Sequence, residues 1–224
     1  MSTPHLSEQE LLRREKLAEL IMMGIEPYPA PLFPINNYST SIKENFTAET
    51  KEQFADVCMA GRIMSVRDMG KANFAVIQDS HGRIQLYLKR DDICPGDDKS
   101  LYDIVWKKLL DIGDIIGIRG YVFITKTGET SVHVKELTLL SKSLRPLPIV
   151  KEAEGQTFDA VTDPEFKYRQ RYADLIINPT VKETFLKRTK LINSIREFLN
   201  NHGALEVDTP VLQSIPGGAA ARPF

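Results

Sequence analysis

The spacing of apolar residues along the chain predicts a helical beginning, a middle of strands and a helical end. Ser7 and Glu10 stand at the offset of a capping box, in which each side chain satisfies a free N–H group of the other residue. Leu20 belongs to an apolar set at helical spacing, and Gly24 and Pro27 then end the predicted helix. Its basic residues are predicted to face solvent, with a phosphate contact as the alternative. They are Arg13, Arg14 and Lys16.

From residue 56 onward the apolar period changes to two, which is the period of a β-strand. Five strands are predicted, over residues 57–64, 73–79, 83–89, 115–125 and 130–140. A helix over 99–110 separates the third strand from the fourth, and residues 80–82 and 126–129 are predicted hairpin turns because their glycines accept a positive φ. Three strands, a helix and two strands is the order of the OB-fold, a five-stranded barrel that binds oligonucleotides on one strand face.

The end of the chain returns to a helical pattern. Residues 182–201 are predicted to form a long amphipathic helix, with Phe185, Ile192 and Ile195 on one apolar stripe. Gly203 then ends this helix as a glycine cap. Residues 205–210 are predicted to form a strand whose last residue, Pro210, belongs at a sheet edge or an interface.

Composition and charge exclude several classes of protein. Hydrophobic residues make up 42% and charged residues 26% of the chain, which is the balance of a soluble globular protein. The sequence has neither an apolar run of the roughly 20 residues that span a membrane nor a secretory signal, so the cytoplasm is expected. The net charge of −1 argues against a uniformly basic surface. Cys58 and Cys94 are too few for a disulfide framework and lack zinc spacing, so no metal site is predicted.

Five segments carry a resemblance to a known family. In the barrel region they are Met-Gly-Lys-Ala at 69–72 and Gly-Arg-Ile-Gln-Leu-Tyr at 82–87, and beyond it Leu-Arg-Pro-Leu-Pro at 144–148, Tyr-Arg-Gln-Arg-Tyr at 168–172 and the stretch 216–224. The predicted helix and proline-ended strand after residue 178 resemble motif 1 of class II aminoacyl-tRNA synthetases. Together the segments resemble the lysine–tRNA ligases rather than their aspartate and asparagine relatives, from about residue 7 onward. Ala173 and Ala204 stand where larger apolar residues are common in the family, a departure that concerns packing.

The resemblance implies an α+β chain, the N-terminal portion of such a ligase. It implies an N-terminal helical extension over 1–55, a five-stranded OB-fold anticodon-binding barrel over 56–141, a linker over 142–177 and the incomplete start of the catalytic domain over 178–224. The complete enzyme is implied to attach lysine to the lysine tRNA with ATP and Mg²⁺ during protein synthesis. It is also implied to be a homodimer that has no membrane partner.

Four residues are implied to read the anticodon, namely Arg67, Phe74, Gln85 and Glu129. Phe74 would stack on an unpaired base, Gln85 would pair with a uracil edge, and Glu129 would accept a hydrogen bond from uracil N3–H. Arg67 would hold a base edge or a phosphate. Taken without the resemblance, Phe74 is more simply explained as barrel core, and Gln85 and Glu129 as solvated surface residues.

The catalytic chemistry is expected to lie elsewhere in the family's sequence. The arginine of motif 2, the helix of motif 3 and the acidic metal ligands are expected beyond Phe224, so no catalytic residue is predicted and the chain alone is expected to make no lysyl-adenylate. Gly217 matches a glycine beside the substrate lysine, with a plain turn glycine as the alternative. Motif 1 forms the dimer interface in this family, which implies that role here for Phe185, Ile192, Ile195 and Pro210.

Three other interpretations stay open from the sequence. The chain is alternatively part of an aspartate- or asparagine-specific relative, or a nonenzymatic OB module that binds single strands of nucleic acid without preference for uridine. The third is a natural truncated paralogue that is retained for tRNA binding or dimerisation. The wording of residues 144–148 and 168–172 disfavours the first of these.

Overall fold

The computed structural model describes residues 6–148, 151–153, 156–158 and 163–210, with side chains described outside the range 149–162. The chain divides into two compact units, Met1–Leu147 and Pro148–Phe224, and each is described by itself below. Within the described residues, no helix has the length and apolar character that a membrane crossing requires.

The first unit is built around a closed five-stranded barrel with the strand order β1-β2-β3-β5-β4. Its strands are β1 (Val57–Asp68), β2 (Ala72–Gln78), β3 (Arg83–Lys89), β4 (Ile115–Ile124) and β5 (Thr130–Ser141). β3 and β5 pair in parallel, all other neighbours pair antiparallel, and β1 closes the barrel against β4. All five strands predicted from the period-two pattern are therefore present, and each lies within four residues of its predicted limits.

The core of the barrel comes from the alternation of side chains along each strand. In β2, Asn73, Ala75 and Ile77 point inward, and β3 does the same with Ile84, Leu86 and Leu88. Because successive strand residues face opposite sides, the residues between them lie on the outer face. Phe74 is one of these, so its explanation as barrel core was wrong.

The predicted helix between the third and fourth strands is present as a π-helix, Leu101–Leu109. It presents Tyr102, Val105, Trp106 and Leu109 to the core. Asn73 meets this helix from inside the barrel, with its amide 3.0 Å from the Tyr102 hydroxyl and, in the orientation that satisfies its hydrogen bonds, its oxygen 2.9 Å from Trp106 Nε1. Burial raises the pKa of Tyr102 to about 12. An asparagine can occupy the core here because its polar atoms find partners.

The N-terminal helix α1 (Glu8–Met22) begins with the predicted capping box, in which Ser7 Oγ accepts from the Glu10 N–H and Glu10 Oε2 accepts from the Ser7 N–H. Arg13 does not face solvent as predicted. It is buried and donates to the carbonyl oxygens of Ile112 and Ser143 at 2.9 and 3.0 Å. These two carbonyl oxygens lie just before β4 and just after β5, outside the strand pairing, and they need donors. The buried arginine supplies those donors and so holds the helix against the barrel.

Three short helical elements complete the first unit: α2 (Ser39–Asn45), a 3₁₀-helix (Lys51–Phe54) and α3 (Arg90–Ile93). The turn at 126–129 contains Gly128 at a φ of 85°, as predicted. Gly82 differs, because it does not have a positive φ. Its turn is held by Asp79 instead, whose Oδ1 accepts from the N–H groups of His81 and Gly82 at 2.8 Å.

The second unit contains a small hairpin and three helices. They are β6 (Lys151–Ala153), β7 (Gln156–Phe158), α4 (Pro164–Arg169), α5 (Arg171–Ile177) and α6 (Pro179–Asn201). The long helix was predicted to begin at residue 182, and it begins earlier because Pro179 fits the first helical turn. Gly203 ends it with a φ of 82°. The strand predicted over 205–210 is wrong: these residues form no strand, since a strand needs a partner and none pairs with them among the described residues.

Candidate nucleic-acid interface

A row of five side chains crosses the outer face of the barrel, one from each strand. The pairing of strands places Arg67 opposite Phe74, Phe74 opposite Tyr87, Tyr87 opposite His133, and His133 opposite Tyr121. Directly paired residues on one face of a sheet are close enough to touch. We call this set the cross-strand row. It forms a continuous and largely aromatic strip on the outer face of the barrel.

The rings of the cross-strand row contact one another and a sixth residue, Phe123. The Tyr87 ring centre lies 5.2 Å from that of Phe74, 5.0 Å from that of His133 and 5.9 Å from that of Phe123. The rings of Tyr121 and His133 are stacked, with centres 4.7 Å apart and planes 24° apart. Such contacts fix ring orientations, and half-buried rings keep part of their faces available to a partner. Planar side chains of this kind are what unpaired bases stack on.

His133 is held by hydrogen bonds at both of its ring nitrogens. Nε2 lies 2.6 Å from Asp92 Oδ2, and Nδ1 lies 2.8 Å from the Tyr121 hydroxyl oxygen. Asp92 also receives Lys89 Nζ at 3.2 Å. Burial raises the pKa of the Asp92 carboxyl, but the hydrogen bonds from His133 and Lys89 outweigh burial and bring that pKa below its usual range. The carboxyl is therefore ionised at neutral pH.

Polar groups stand beside the aromatic strip on β3 and β5. Gln85 Nε2 donates to Ser131 Oγ at 3.0 Å, and Ser131 Oγ donates to the Glu129 backbone carbonyl oxygen at 3.3 Å. The Gln85 amide oxygen stays able to accept a hydrogen bond. The Glu129 carboxylate is exposed and lies 3.5 Å from Lys43 Nζ, an ion pair open to solvent and therefore weak.

The structure thus places the four sequence-predicted reading residues on one region of the barrel. Arg67 and Phe74 are direct cross-strand partners, and Gln85 is joined to the backbone of Glu129 through Ser131. Sequence reasoning did not assign roles to four further aromatic residues of this surface, namely Tyr87, Tyr121, Phe123 and His133. Their signal was present, because an aromatic ring at the outward position of an alternating strand is unusual on a surface that only meets water.

The other predicted site residues have mixed outcomes. Gly217 lies outside the described residues. Phe185, Ile192 and Ile195 are partly exposed on α6, and Pro210 is exposed. Ile192 and Ile195 also line a groove of about 350 Å³ between the end of α6 and residues 204–206. Across the described part of the chain, no group of three or more His, Cys, Asp and Glu side chains is arranged to hold a metal ion.

Comparison with known protein families matches both regions of the chain. Residues 57–140 match the family described as an OB-fold nucleic acid binding domain, and residues 163–224 match the class II tRNA synthetases (D, K and N). The closed barrel order described above agrees with the first match.

Individual relatives match along the full chain. It is 59% identical over 224 residues to a lysine–tRNA ligase of Porphyromonas gingivalis, covering 100% of this chain and 39% of the relative. It is 61% identical over 219 residues to that of Azobacteroides pseudotrichonymphae, covering 98% and 43%, and 59% identical over 220 residues to that of Christiangramia forsetii, covering 98% and 38%. The chain therefore spans about two-fifths of the length of these relatives.

Proposed function

The chain belongs to the lysine–tRNA ligase family, and on that premise we propose that its barrel binds the anticodon loop of a lysine tRNA through the cross-strand row. The observation that carries the proposal is the alignment of Arg67, Phe74 and three further rings across all five strands of a closed OB barrel. We place the anticodon-binding domain at residues 56–141. Stacking platforms beside polar edge contacts are the means by which proteins bind single-stranded RNA.

Each reading residue has a separate physical role in this proposal. Phe74 provides a face on which any base stacks, because every base has a π-face. The Gln85 amide oxygen and the Glu129 carboxylate are acceptors, and uracil N3–H is a donor. Arg67 is exposed at the end of the row and attracts a phosphate.

The preference for uridine over cytidine follows from the acceptors. Cytosine N3 accepts where uracil N3 donates, so a cytosine edge would set two acceptors against each other. A carboxylate left without a donor loses its hydrogen bond and gains repulsion. The proposal therefore predicts discrimination between the two pyrimidines at the central anticodon position, with no difference in stacking.

The test is a titration of the 224-residue chain with RNA hairpins that carry the lysine anticodon stem-loop and differ only at the central anticodon base. We expect the uridine hairpin to bind more tightly than the cytidine hairpin. Equal affinity for both, with binding retained, would favour a general single-strand module. Absence of binding to either hairpin would remove the RNA-binding proposal altogether.

The activity of the whole protein is proposed from the same family membership. Lysine–tRNA ligases use ATP and Mg²⁺, and we propose that the complete protein attaches lysine to its tRNA with both, in the cytoplasm. The described residues do not fit the metal, because they offer no cluster of ligands for it. We assign them no catalytic step, and we expect no lysine-dependent exchange of pyrophosphate into ATP from the 224-residue chain alone.

We propose that a second copy of the chain covers the apolar side chains of α6. Phe185, Ile192 and Ile195 are 40%, 37% and 51% exposed, and contiguous apolar surface favours association. Sedimentation of the chain is expected to show association that rises with concentration. Ile195→Arg should reduce it, whereas Ile124→Arg, the same change at a similarly exposed residue of the barrel, should not. A monomer at all concentrations would refute the proposal for this chain.

A further inference from the structure

The hydrogen-bonded chain Asp92–His133–Tyr121 links a carboxylate, an imidazole and a phenol across three elements of the barrel. Asp92 lies on α3, His133 on β5 and Tyr121 on β4, and the two links measure 2.6 and 2.8 Å. His133 is 14% exposed at its side chain, so its nitrogens have few other partners available. These hydrogen bonds connect the Asp92 carboxylate, at one side of the cross-strand row, with Tyr121, the last ring of that row.

The direction of the hydrogen bonds follows from the chemistry of the three groups. An ionised carboxylate only accepts, so His133 Nε2 must carry a proton and donate it to Asp92. In the neutral imidazole the other nitrogen, Nδ1, is then an acceptor, and the Tyr121 hydroxyl donates to it. The hydroxyl oxygen of Tyr121 is left with lone pairs and no proton to give. With the His133 ring neutral, Asp92 thus determines, through that ring, that Tyr121 presents an acceptor.

The position of Tyr121 separates it from the residues proposed to read the central base. Along the cross-strand row, Tyr87 and His133 stand between Phe74 and Tyr121. A nucleotide that contacts the Tyr121 hydroxyl is therefore a different one from the nucleotide that stacks on Phe74. Lys135 Nζ lies 5.5 Å from the centre of the Tyr121 ring, which adds a positive charge suited to a phosphate beside that ring.

We propose that Asp92 and His133 are positioning residues that fix the Tyr121 hydroxyl as a hydrogen-bond acceptor for an N–H or O–H group of a second bound nucleotide. The inference rests on the proposed RNA binding and adds a second nucleotide subsite to it. His133 acts by packing as well, because its ring stacks on that of Tyr121 and meets the edge of Tyr87.

Substitution of Asp92 tests the direction of the hydrogen bonds while it preserves shape. In Asp92→Asn only one oxygen remains, and Lys89, which can only donate, requires it. The amide N–H₂ then faces Nε2, the ring proton moves to Nδ1, and Tyr121 accepts instead of donating. The subsite would present a donor where the nucleotide also has one. We expect the affinity of the 224-residue chain for the uridine hairpin to fall about fivefold, the equivalent of one hydrogen bond.

A charge effect would have the opposite sign, which makes the experiment decisive. Removal of a negative charge beside RNA strengthens binding through the phosphates. Asp91→Asn is the matched control, because Asp91 is the neighbouring residue, pairs with Arg90 and Lys99, and is not part of the hydrogen-bonded chain. We expect Asp91→Asn to leave affinity unchanged or to raise it, while Asp92→Asn lowers it.

Tyr121→Phe completes a double-mutant cycle. It keeps the ring and deletes the hydroxyl, and it should cost about as much affinity as Asp92→Asn, roughly fivefold. If Asp92 acts through Tyr121, the double variant should bind no more weakly than either single variant. Additive losses, or a gain of affinity in Asp92→Asn equal to that in Asp91→Asn, would overturn the inference.

The outcomes separate the inference from the proposed function. Wild-type chain that prefers the uridine hairpin, together with Asp92→Asn and Tyr121→Phe variants that bind as wild type does, would refute only the second subsite. A wild-type chain that binds neither hairpin would refute both. Thermal unfolding of each variant shows whether the barrel is intact, and a loss of affinity counts only where the unfolding midpoint matches that of wild type.

Discussion

Two polar networks of the barrel differ in how completely the protein satisfies them. Lys142, just past the end of β5, is fully buried, and its Nζ donates to Leu109 O at 2.7 Å, Asp111 Oδ2 at 2.6 Å and Asp114 Oδ2 at 2.8 Å. His133, within β5, has both ring nitrogens hydrogen-bonded, but the series of hydrogen bonds from Asp92 through His133 ends at Tyr121, a half-buried residue. The first network is closed by protein atoms, and the second ends at a surface.

The difference teaches how to separate stability from recognition in a small barrel. A buried ammonium with three protein acceptors has no capacity left for a ligand, so its effect is confined to folding. A chain that ends in a phenol oxygen with unused lone pairs is able to meet a ligand. We expect substitutions in the first network to lower stability and substitutions in the second to lower affinity.

The largest expected effect is on stability, from Lys142→Met. Methionine removes the ammonium and leaves Asp114 fully buried without its cation, whereas the partly buried Asp111 keeps its ion pair with Lys16. Breaking a buried ion pair on one side costs about 3–5 kcal/mol, and we expect a loss of this size in the free energy of unfolding. Chemical denaturation measures it.

The control for Lys142→Met is Lys108→Met, the same change at an exposed residue of the π-helix, which should alter stability by less than about 0.5 kcal/mol. Burial raises the pKa of Asp114, and Lys142 opposes that rise. Loss of Lys142 should therefore leave Asp114 protonated over more of the pH range, which lessens the damage in acid. Equal destabilisation by the two variants would show that the network is not closed as described.

Another closed network, centred on Asp79, should make the stability of the barrel depend on pH. Its carboxylate accepts from Ser39 N at 2.6 Å, Ser39 Oγ at 2.7 Å and the two N–H groups of the β2–β3 turn. Burial raises the pKa of Asp79, but these hydrogen bonds bring it below the usual range. The stabilisation is thus present above the ordinary pKa of about 4 and is lost as the pH falls through the lower folded-state pKa.

Asp79→Asn should therefore lower the free energy of unfolding by about 2 kcal/mol at neutral pH. The difference from wild type should shrink as the pH falls below about 4, which a series of denaturation curves would follow. Asp97→Asn, at an exposed position, serves as the control for loss of a carboxylate. If the free energies of unfolding of wild type and Asp79→Asn differ by the same amount down to strongly acidic pH, the charge of Asp79 does not contribute to stability.

Phe74→Ala should distinguish the open surface from the closed networks. We expect affinity for every hairpin to fall by roughly 1–3 kcal/mol, because a stacking ring is lost whichever base is present. Stability should change much less than in Lys142→Met, since Phe74 is only half-buried. Ile124→Ala, an exposed apolar residue of β4, is the control. Unchanged affinity in Phe74→Ala would exclude it from the binding surface.

The barrel was predictable because each of its elements is indicated by a pattern within a short stretch of sequence. Period-two alternation, a helix between the third and fourth strands and two turns were enough to give the strand order. The buried polar contacts were not predictable: Arg13 was expected in solvent, yet it donates to carbonyl oxygens of residues 99 and 130 positions away in sequence. Such contacts depend on which loop carbonyls need donors after the barrel has closed, and a one-dimensional pattern does not record that.

The candidate surface was predictable only in part, and for a related reason. Phe74 and Gln85 were identified by resemblance, but the alignment of Phe74, Tyr87, His133 and Tyr121 depends on strand register, including the parallel pairing of β3 with β5. Register between strands that are distant in sequence is set by the closed barrel rather than by any one segment. The strand expected at 205–210 failed for lack of a partner strand among the described residues.

The smallest expected effect is also the most specific, and it concerns Glu129. Glu129→Gln keeps the size of the side chain but replaces one acceptor oxygen with a donor group, which a cytosine N3 would accept. We expect the preference for the uridine hairpin over the cytidine hairpin to fall by about 1 kcal/mol, the net value of one hydrogen bond. Overall affinity should not fall, because the variant also removes a negative charge beside RNA.

The structure supplies a control for Glu129→Gln. Glu129 pairs with Lys43 at 3.5 Å, so loss of its charge also releases that lysine. Lys43→Gln breaks the same ion pair while it keeps the carboxylate, and it should weaken binding to both hairpins alike without change in their ratio. If Lys43→Gln shifts the ratio of the two affinities as much as Glu129→Gln does, the discrimination depends on the intact Lys43–Glu129 ion pair rather than on a hydrogen bond from the base to Glu129. If Glu129→Gln retains the full preference, another acceptor reads the central base, and the Gln85 amide oxygen is the next one to test.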